Sequence, residues 1–137
     1  MTAVVETTVA RNRLIVLALV SGVVVLAGLA GFIEFEPIPV AASASLPLGL
    51  AGLISLVIGW RVYAAMSQPA EGAEVEDHLA RYSVALIASL AITEGVAFLG
   101  VVCYMLGGEI VAMTGVVAHV MLTGVLWPTA EKAWPSR

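Results

Sequence analysis

Apolar residues occur in four long runs, and polar segments separate them. The runs cover residues 14–33, 46–65, 82–106 and 110–127. Because an α-helix rises about 1.5 Å per residue, about 20 apolar residues cross the hydrocarbon core of a bilayer. The pattern therefore predicts an all-α protein, an integral membrane bundle of four transmembrane helices that forms one membrane domain over residues 1–137.

The polar segments contain the residues that end helices. Pro47 is expected in the first turn of the second helix, where a proline removes no helical hydrogen bond. Gly107-Gly108 predicts a tight antiparallel hairpin between helices three and four. Residues 66–81 are predicted to form a solvated loop. A signal peptide is an alternative for the first run, with Ala42-Ser43-Ala44 as its cleavage site, although that run is long for one.

The positive charges predict how the helices are oriented. In the four-helix arrangement all six cations fall on one side: Arg11, Arg13, Arg61, Arg81, Lys132 and Arg137. The charged residues on the opposite side are all acids: Glu34, Glu36 and Glu109. Cytoplasmic loops carry the excess of Lys and Arg. We therefore expect cytoplasmic termini, a cytoplasmic loop at 66–81, and a multi-pass protein of the bacterial cytoplasmic (inner) membrane.

Composition supports a membrane environment and excludes several other classes. The chain is 61% hydrophobic and 12% charged, whereas soluble domains are about 45–50% apolar and about 25% charged. The formal net charge is -4. The Lys and Arg residues form no basic cluster, so we expect no nucleic-acid partner. The single cysteine, Cys103, cannot form an intrachain disulfide. No metal-ligand cluster, phosphate loop or nucleophile with its base is evident, and we expect no enzymatic activity.

Glu94 is the first candidate site residue, because it is the single charge in the third apolar run. It lies at the midpoint of residues 82–106, where an ionised acid costs about 2.5–3.5 kcal/mol on insertion scales. The carboxyl should be protonated, be paired or face other protein. Small residues surround it, and the Thr93 hydroxyl is a candidate hydrogen-bond partner for the acid or for a neighbouring helix.

His119 is the second candidate. Counted from the Gly107-Gly108 turn, Glu94 and His119 differ in depth by about 3 Å. Contact between them is therefore a hypothesis, with three interpretations: a polar pair that holds two helices together, a proton relay, or His119 as a pigment ligand. A bis-histidine haem would need a second intramembrane histidine, and His78 is predicted in the loop. The cofactors stay open: none, or contact with lipid or pigment.

The residues from Ala91 to Val102 resemble the second helix of the proteolipid c subunit of rotary ATP synthases. That family has a mid-membrane acid, then a small residue, then a glycine six positions after the acid, which Glu94, Gly95 and Gly100 match. Ser67-Gln68-Pro69 resembles the family's Arg-Gln-Pro loop, with serine in place of arginine. The resemblance covers residues 46–106 and implies that Glu94 carries a proton or sodium ion. Helix two is expected to lack the family's glycine-rich packing face.

Two functional hypotheses follow. In the first, the chain is a structural or accessory subunit of a larger membrane complex, with lipids and with other subunits or its own copies as partners. In the second, it is a c-subunit-like carrier of protons or cations that uses Glu94. The first is favoured because 137 residues with almost no extramembrane part are few for an autonomous transporter.

Overall fold

The computed structural model describes residues 2–33, 35–68 and 74–134 and is helical throughout its regular secondary structure. Three helices are long: α1 (Thr2–Ala30), α2 (Pro39–Met66) and α3 (Val75–Met105). A 3-10 turn, Ile110–Met113, leads into α4 (Thr114–Val125), and the short α5 covers Ala130–Ala133. No strand is present in these ranges.

Three of the four predicted spans are confirmed as helices that are long and apolar enough to cross a membrane. The fourth apolar segment, Ile110–Val125, is shorter. Its 3-10 turn and α-helix together extend about 26 Å, slightly less than a hydrocarbon core of about 30 Å. The described part of the chain is thus an apolar helical bundle of the kind found in membranes.

The predicted helix ends were wrong in several places, because hydropathy detects the lipid-facing part of a helix and not its backbone. The first helix begins at Thr2, well before the apolar run. Pro39, not Pro47, occupies the first turn of α2, and Pro47 lies inside that helix. The predicted 66–81 loop is also too long, since α3 begins at Val75. Residues 69–73 of that loop lie outside the described residues, as do Glu34 and Arg137.

α3 packs against α1, α2 and α4, and most extensively against α2. Both α1 and α2 also contact α4. α1 contributes a narrow seam of buried residues at heptad-like spacing, which is typical of helices that pack side by side. The seam consists of Val5, Val9, Asn12, Val16, Val23 and Ala30.

The two ends of the described chain meet at the same end of the bundle. Val5 and Val9 of α1 form one apolar cluster with Leu79, Tyr82 and Ala133. The described chain therefore runs along the bundle four times, through three helices long enough to span a membrane and one shorter segment. Five of the six cations belong to the segments at this end, which we call the cation end: Arg11, Arg13, Arg61, Arg81 and Lys132.

α2 buries a face made almost entirely of small residues, and the expectation that this helix lacks a glycine-rich packing face was wrong. The buried residues are Ala41, Ser45, Gly49, Gly52, Ser55 and Gly59. A Cβ atom added to Gly52 would lie 2.5 Å from the backbone nitrogen of Gly115. Small residues let membrane helices approach backbone to backbone. This face therefore holds α2 tightly against α4 and α3.

The hairpin between α3 and the fourth segment is confirmed, and its geometry is that of a Schellman motif. Gly107 has a φ of 92°. The amide of Gly108 donates to the carbonyl of Cys103 at 2.9 Å, and that of Gly107 donates to the carbonyl of Tyr104 at 3.1 Å. A left-handed residue with these two bonds satisfies the last carbonyls of a helix.

Replacing Gly107 with alanine is expected to reduce the free energy of unfolding by about 1–2 kcal/mol. The positive φ disfavours any residue with a Cβ atom, and here that atom would lie 2.8 Å from the Cβ atom of Pro37. Reversible unfolding in mixed micelles, followed by tryptophan fluorescence, measures the loss. Gly28→Ala is the matched control, because its Cβ would meet nothing within 4 Å; equal stability of the two variants would contradict the turn assignment.

Candidate functional site

A buried polar contact joins α3 and α4 in the middle of the bundle. The hydroxyl of Thr93 and the Nδ1 atom of His119 are 2.8 Å apart, and neither side chain is exposed. The two helices approach closely beside this pair, since a Cβ on Gly115 would lie 3.1 Å from the Cα of Ala97. The small residues of α4 therefore place the imidazole against α3.

The hydrogen bonds around Thr93 are linked to the tautomer of His119. The Thr93 hydroxyl donates to the carbonyl of Leu90 at 3.0 Å. A hydroxyl has one hydrogen, so when that hydrogen is donated to Leu90 the oxygen accepts from His119, and the proton of the imidazole is on Nδ1. The Nε2 atom of His119 then carries a lone pair. It is buried and has no hydrogen-bond partner among the described atoms.

A second unpaired group lies one helical turn from His119. The hydroxyl of Thr123 is buried and has no partner among the described atoms. Threonine and serine hydroxyls inside helices usually bond to a carbonyl three or four residues earlier, as those of Ser55 and Ser89 do. Because residues four apart share a face of a helix, Thr123 and His119 offer a hydroxyl and a nitrogen lone pair on the same side of α4. Such groups can accept and pass on a proton.

The structure brings together two of the three predicted site residues, Thr93 and His119. Glu94 forms no hydrogen bond with either of them in the described part of the chain; the partner of His119 is Thr93. The carboxyl is partly exposed on the outer surface of α3 instead. Ala91, three positions before the acid, is exposed, as are Gly95 and Leu99, which follow Ala91 at intervals of four residues. We call the set the outer face of α3: Ala91, Glu94, Gly95 and Leu99.

The outer face of α3 is open to an incoming helix. Ala91 and Gly95 are exposed, and a Cβ atom added to Gly95 would meet nothing within 4 Å. Glu94 is adjacent in sequence to Thr93, so its carboxyl is at the depth of the buried Thr93–His119 pair. The face thus combines small residues with an acid at the middle of the bundle.

Sequence reasoning missed a second polar contact between helices. Asn12 is fully buried in the α1 seam, and its Nδ2 atom donates to the hydroxyl of Ser83 at 3.0 Å. The sequence contains a signal for this contact, because Asn12 is the polar residue in a heptad-like row that includes Val9 and Val16. One polar residue in such a row specifies the register between helices. This contact therefore fixes α1 along α3.

The positions of the two histidines limit how a cofactor could bind. His119 is fully buried, so a pigment could reach its Nε2 only by displacing a helix. His78 is not in a loop; it is buried in α3, with its ring 5.2 Å from the ring of Trp134. It lies about 22 Å along α3 from Thr93, too far to share a haem with His119. In the described residues, no group of three metal-ligating side chains occurs.

These features define a class, a helical membrane protein with a buried histidine and an acid on its outer surface. No protein-family model, curated protein or solved structure matches the chain. Its function must therefore be inferred from its own residues.

Proposed function

We propose that the chain is an accessory subunit of a larger membrane complex, and that the outer face of α3 binds a transmembrane helix of another subunit. The observation that carries this proposal is the partly exposed position of Glu94. Lipid offers no hydrogen bond to a carboxyl, and an acid at mid-bilayer costs about 2.5–3.5 kcal/mol on insertion scales. A partner helix with a basic or hydrogen-bonding side chain at that depth would remove most of this cost.

None of the described cations lies near Glu94, and we infer that the partner group comes from another chain. The five described cations belong to the cation end, several helical turns from Glu94. Ala91 and Gly95 flank the acid and leave room for close approach, which favours a helix over a bulky ligand.

We also propose an orientation with both termini in the cytoplasm of a bacterium and the chain in its inner membrane. The support is the clustering of Arg11, Arg13, Arg61, Arg81 and Lys132 in segments at one end of the bundle. The opposite end has acids and no cation among its described residues. This asymmetry is what the positive-inside rule requires of a protein with four crossings.

A photo-reactive amino acid at position 95, incorporated in native membranes, tests the docking proposal. We expect an adduct with another chain, because Gly95 faces open space beside the acid. Gly28 on α1 and Gly124 on α4 are matched control positions, since a Cβ at either also meets nothing within 4 Å. The adduct at 95 should disappear with Glu94→Leu. Equal adducts at all three positions, or an adduct that does not depend on Glu94, would contradict the proposal.

The same position of Glu94 favours a second candidate, a proton or cation carrier like the c subunit. A carboxyl on the outer surface of a helix can exchange a proton with a partner that slides past it, which an enclosed acid cannot do. Glu94→Gln separates the two candidates. If the chain is a carrier, the complex that contains the variant assembles but no longer moves protons across the membrane. Proton movement is measured with a pH-sensitive dye inside vesicles that contain the purified complex. In an accessory subunit the proton movement of an assembled complex is unchanged.

A further inference from the structure

A cleft of about 330 Å³ lies on the surface of the bundle at the cation end, between the end of α2 and the beginning of α3. Its lining is mostly apolar, with one cation: Ala65, Met66, Ala80, Arg81 and Val84. Both Arg81 and Val84 are exposed. The cleft is therefore an apolar recess with a guanidinium at its edge, close to where a membrane surface would lie.

The side chains along this part of α3 follow a definite order. Val84, Arg81 and Asp77 are spaced three and four residues apart, so they lie on one face of the helix. Along the helix axis Arg81 is about 4.5 Å beyond Val84, and Asp77 is about 6 Å beyond Arg81, toward the end of the bundle. Glu76 is exposed beside Asp77. Going outward, the face is apolar, then positive, then negative.

We propose that this cleft binds a zwitterionic phospholipid whose headgroup ends in a primary ammonium, such as phosphatidylethanolamine. The chemical order of that lipid matches the order of the side chains. An acyl chain would pack on Val84 and the apolar wall, the phosphate would accept hydrogen bonds from Arg81, and the ammonium would donate to Asp77 and Glu76.

The acids at the outer edge determine which headgroup is preferred. Asp77 and Glu76 are close to a single arginine, so a headgroup with a net negative charge, such as phosphatidylglycerol, meets two like charges beyond its phosphate. A choline headgroup is neutral overall, but its quaternary nitrogen has no N–H to donate. The cleft therefore favours a primary ammonium over choline and over glycerol.

Lipid retention by the purified full-length chain tests this site. The protein is extracted from nanodiscs that contain equal amounts of phosphatidylethanolamine, phosphatidylcholine and phosphatidylglycerol, and its bound lipids are counted by native mass spectrometry. We expect phosphatidylethanolamine to be retained about fivefold over either competitor, the ratio that one partly exposed ion pair provides. Preferential retention of phosphatidylglycerol would overturn the proposal.

Three variants assign the contacts. Arg81→Gln should lower retention of all three lipids, whereas the double variant Glu76→Gln/Asp77→Asn should keep retention and lose the preference for phosphatidylethanolamine. Arg11→Gln is the matched control, because Arg11 is an exposed arginine of α1 at the same end. If Arg81→Gln retains as much lipid as Arg11→Gln, Arg81 does not bind the phosphate and the proposal fails.

Discussion

Replacing Gly52 with alanine is expected to lower the free energy of unfolding by about 3 kcal/mol, the upper part of the usual range for overpacking. The added Cβ would lie 2.5 Å from the nitrogen and 2.8 Å from the Cα of Gly115. These are backbone atoms, which cannot rotate away, so α2 and α4 must separate and lose contact along their length. Equilibrium unfolding in mixed micelles, followed by tryptophan fluorescence, measures the change.

Gly124→Ala is the matched control for this substitution. Gly124 is also a helical glycine, but its Cβ would meet nothing within 4 Å. Alanine has a higher helix propensity than glycine, so this variant should be unchanged or more stable by up to about 1 kcal/mol. Unchanged stability of Gly52→Ala, or an equal loss in both variants, would contradict the close packing of α2 on α4.

The sequence was sufficient to predict the three helices that are long and apolar enough to span a membrane, because the length of an apolar run can be compared directly with the thickness of a bilayer. Helix ends were predicted poorly for a related reason. Thr2 to Arg13 of α1 is polar enough to lie outside the hydrocarbon core, yet its backbone hydrogen bonds continue the helix. Hydropathy indicates whether a side chain prefers lipid or water. It contains no information on where the backbone hydrogen bonds of a helix end.

The small face of α2 was missed because glycine and serine have little weight in an apolar pattern. Ala41, Ser45 and Gly49 recur every four residues, and Ser55 and Gly59 continue the row. That spacing was visible, and it is the usual signature of close helix packing in membranes. Which helix meets this face depends on the rotation of α2 about its axis, and only the assembled bundle fixes that angle.

Rotation also explains why the predicted contact between Glu94 and His119 was not found. Counting residues from the hairpin turn gives depth correctly, and His119 does lie opposite this part of α3. Successive residues on an α-helix, however, point about 100° apart. Thr93 therefore faces His119, while the adjacent Glu94 points toward the outer surface. A difference of one residue therefore moves the acid from the interior of the bundle to its outer surface.

Replacing Thr93 with valine is expected to destabilise the bundle by about 1–3 kcal/mol, the cost of leaving a buried donor unpaired. Valine has a similar shape, so little packing is lost. His119, however, would keep both ring nitrogens buried without a side-chain partner. Thr93→Ser is the control, because it keeps the hydroxyl. Unfolding in mixed micelles measures both variants, and equal stability of wild type and Thr93→Val would show that this hydrogen bond contributes nothing.

The double variant Thr93→Val/His119→Leu then tests why the histidine is present. Replacing both partners of a buried hydrogen bond by apolar groups of similar shape is often neutral or stabilising, and here it also removes the unpaired Nε2 atom. We expect the double variant to recover the stability that Thr93→Val loses. If it does, the hydrogen bond between Thr93 and His119 is not needed to hold α3 and α4 together. A double variant as unstable as Thr93→Val would instead assign His119 a purely structural role.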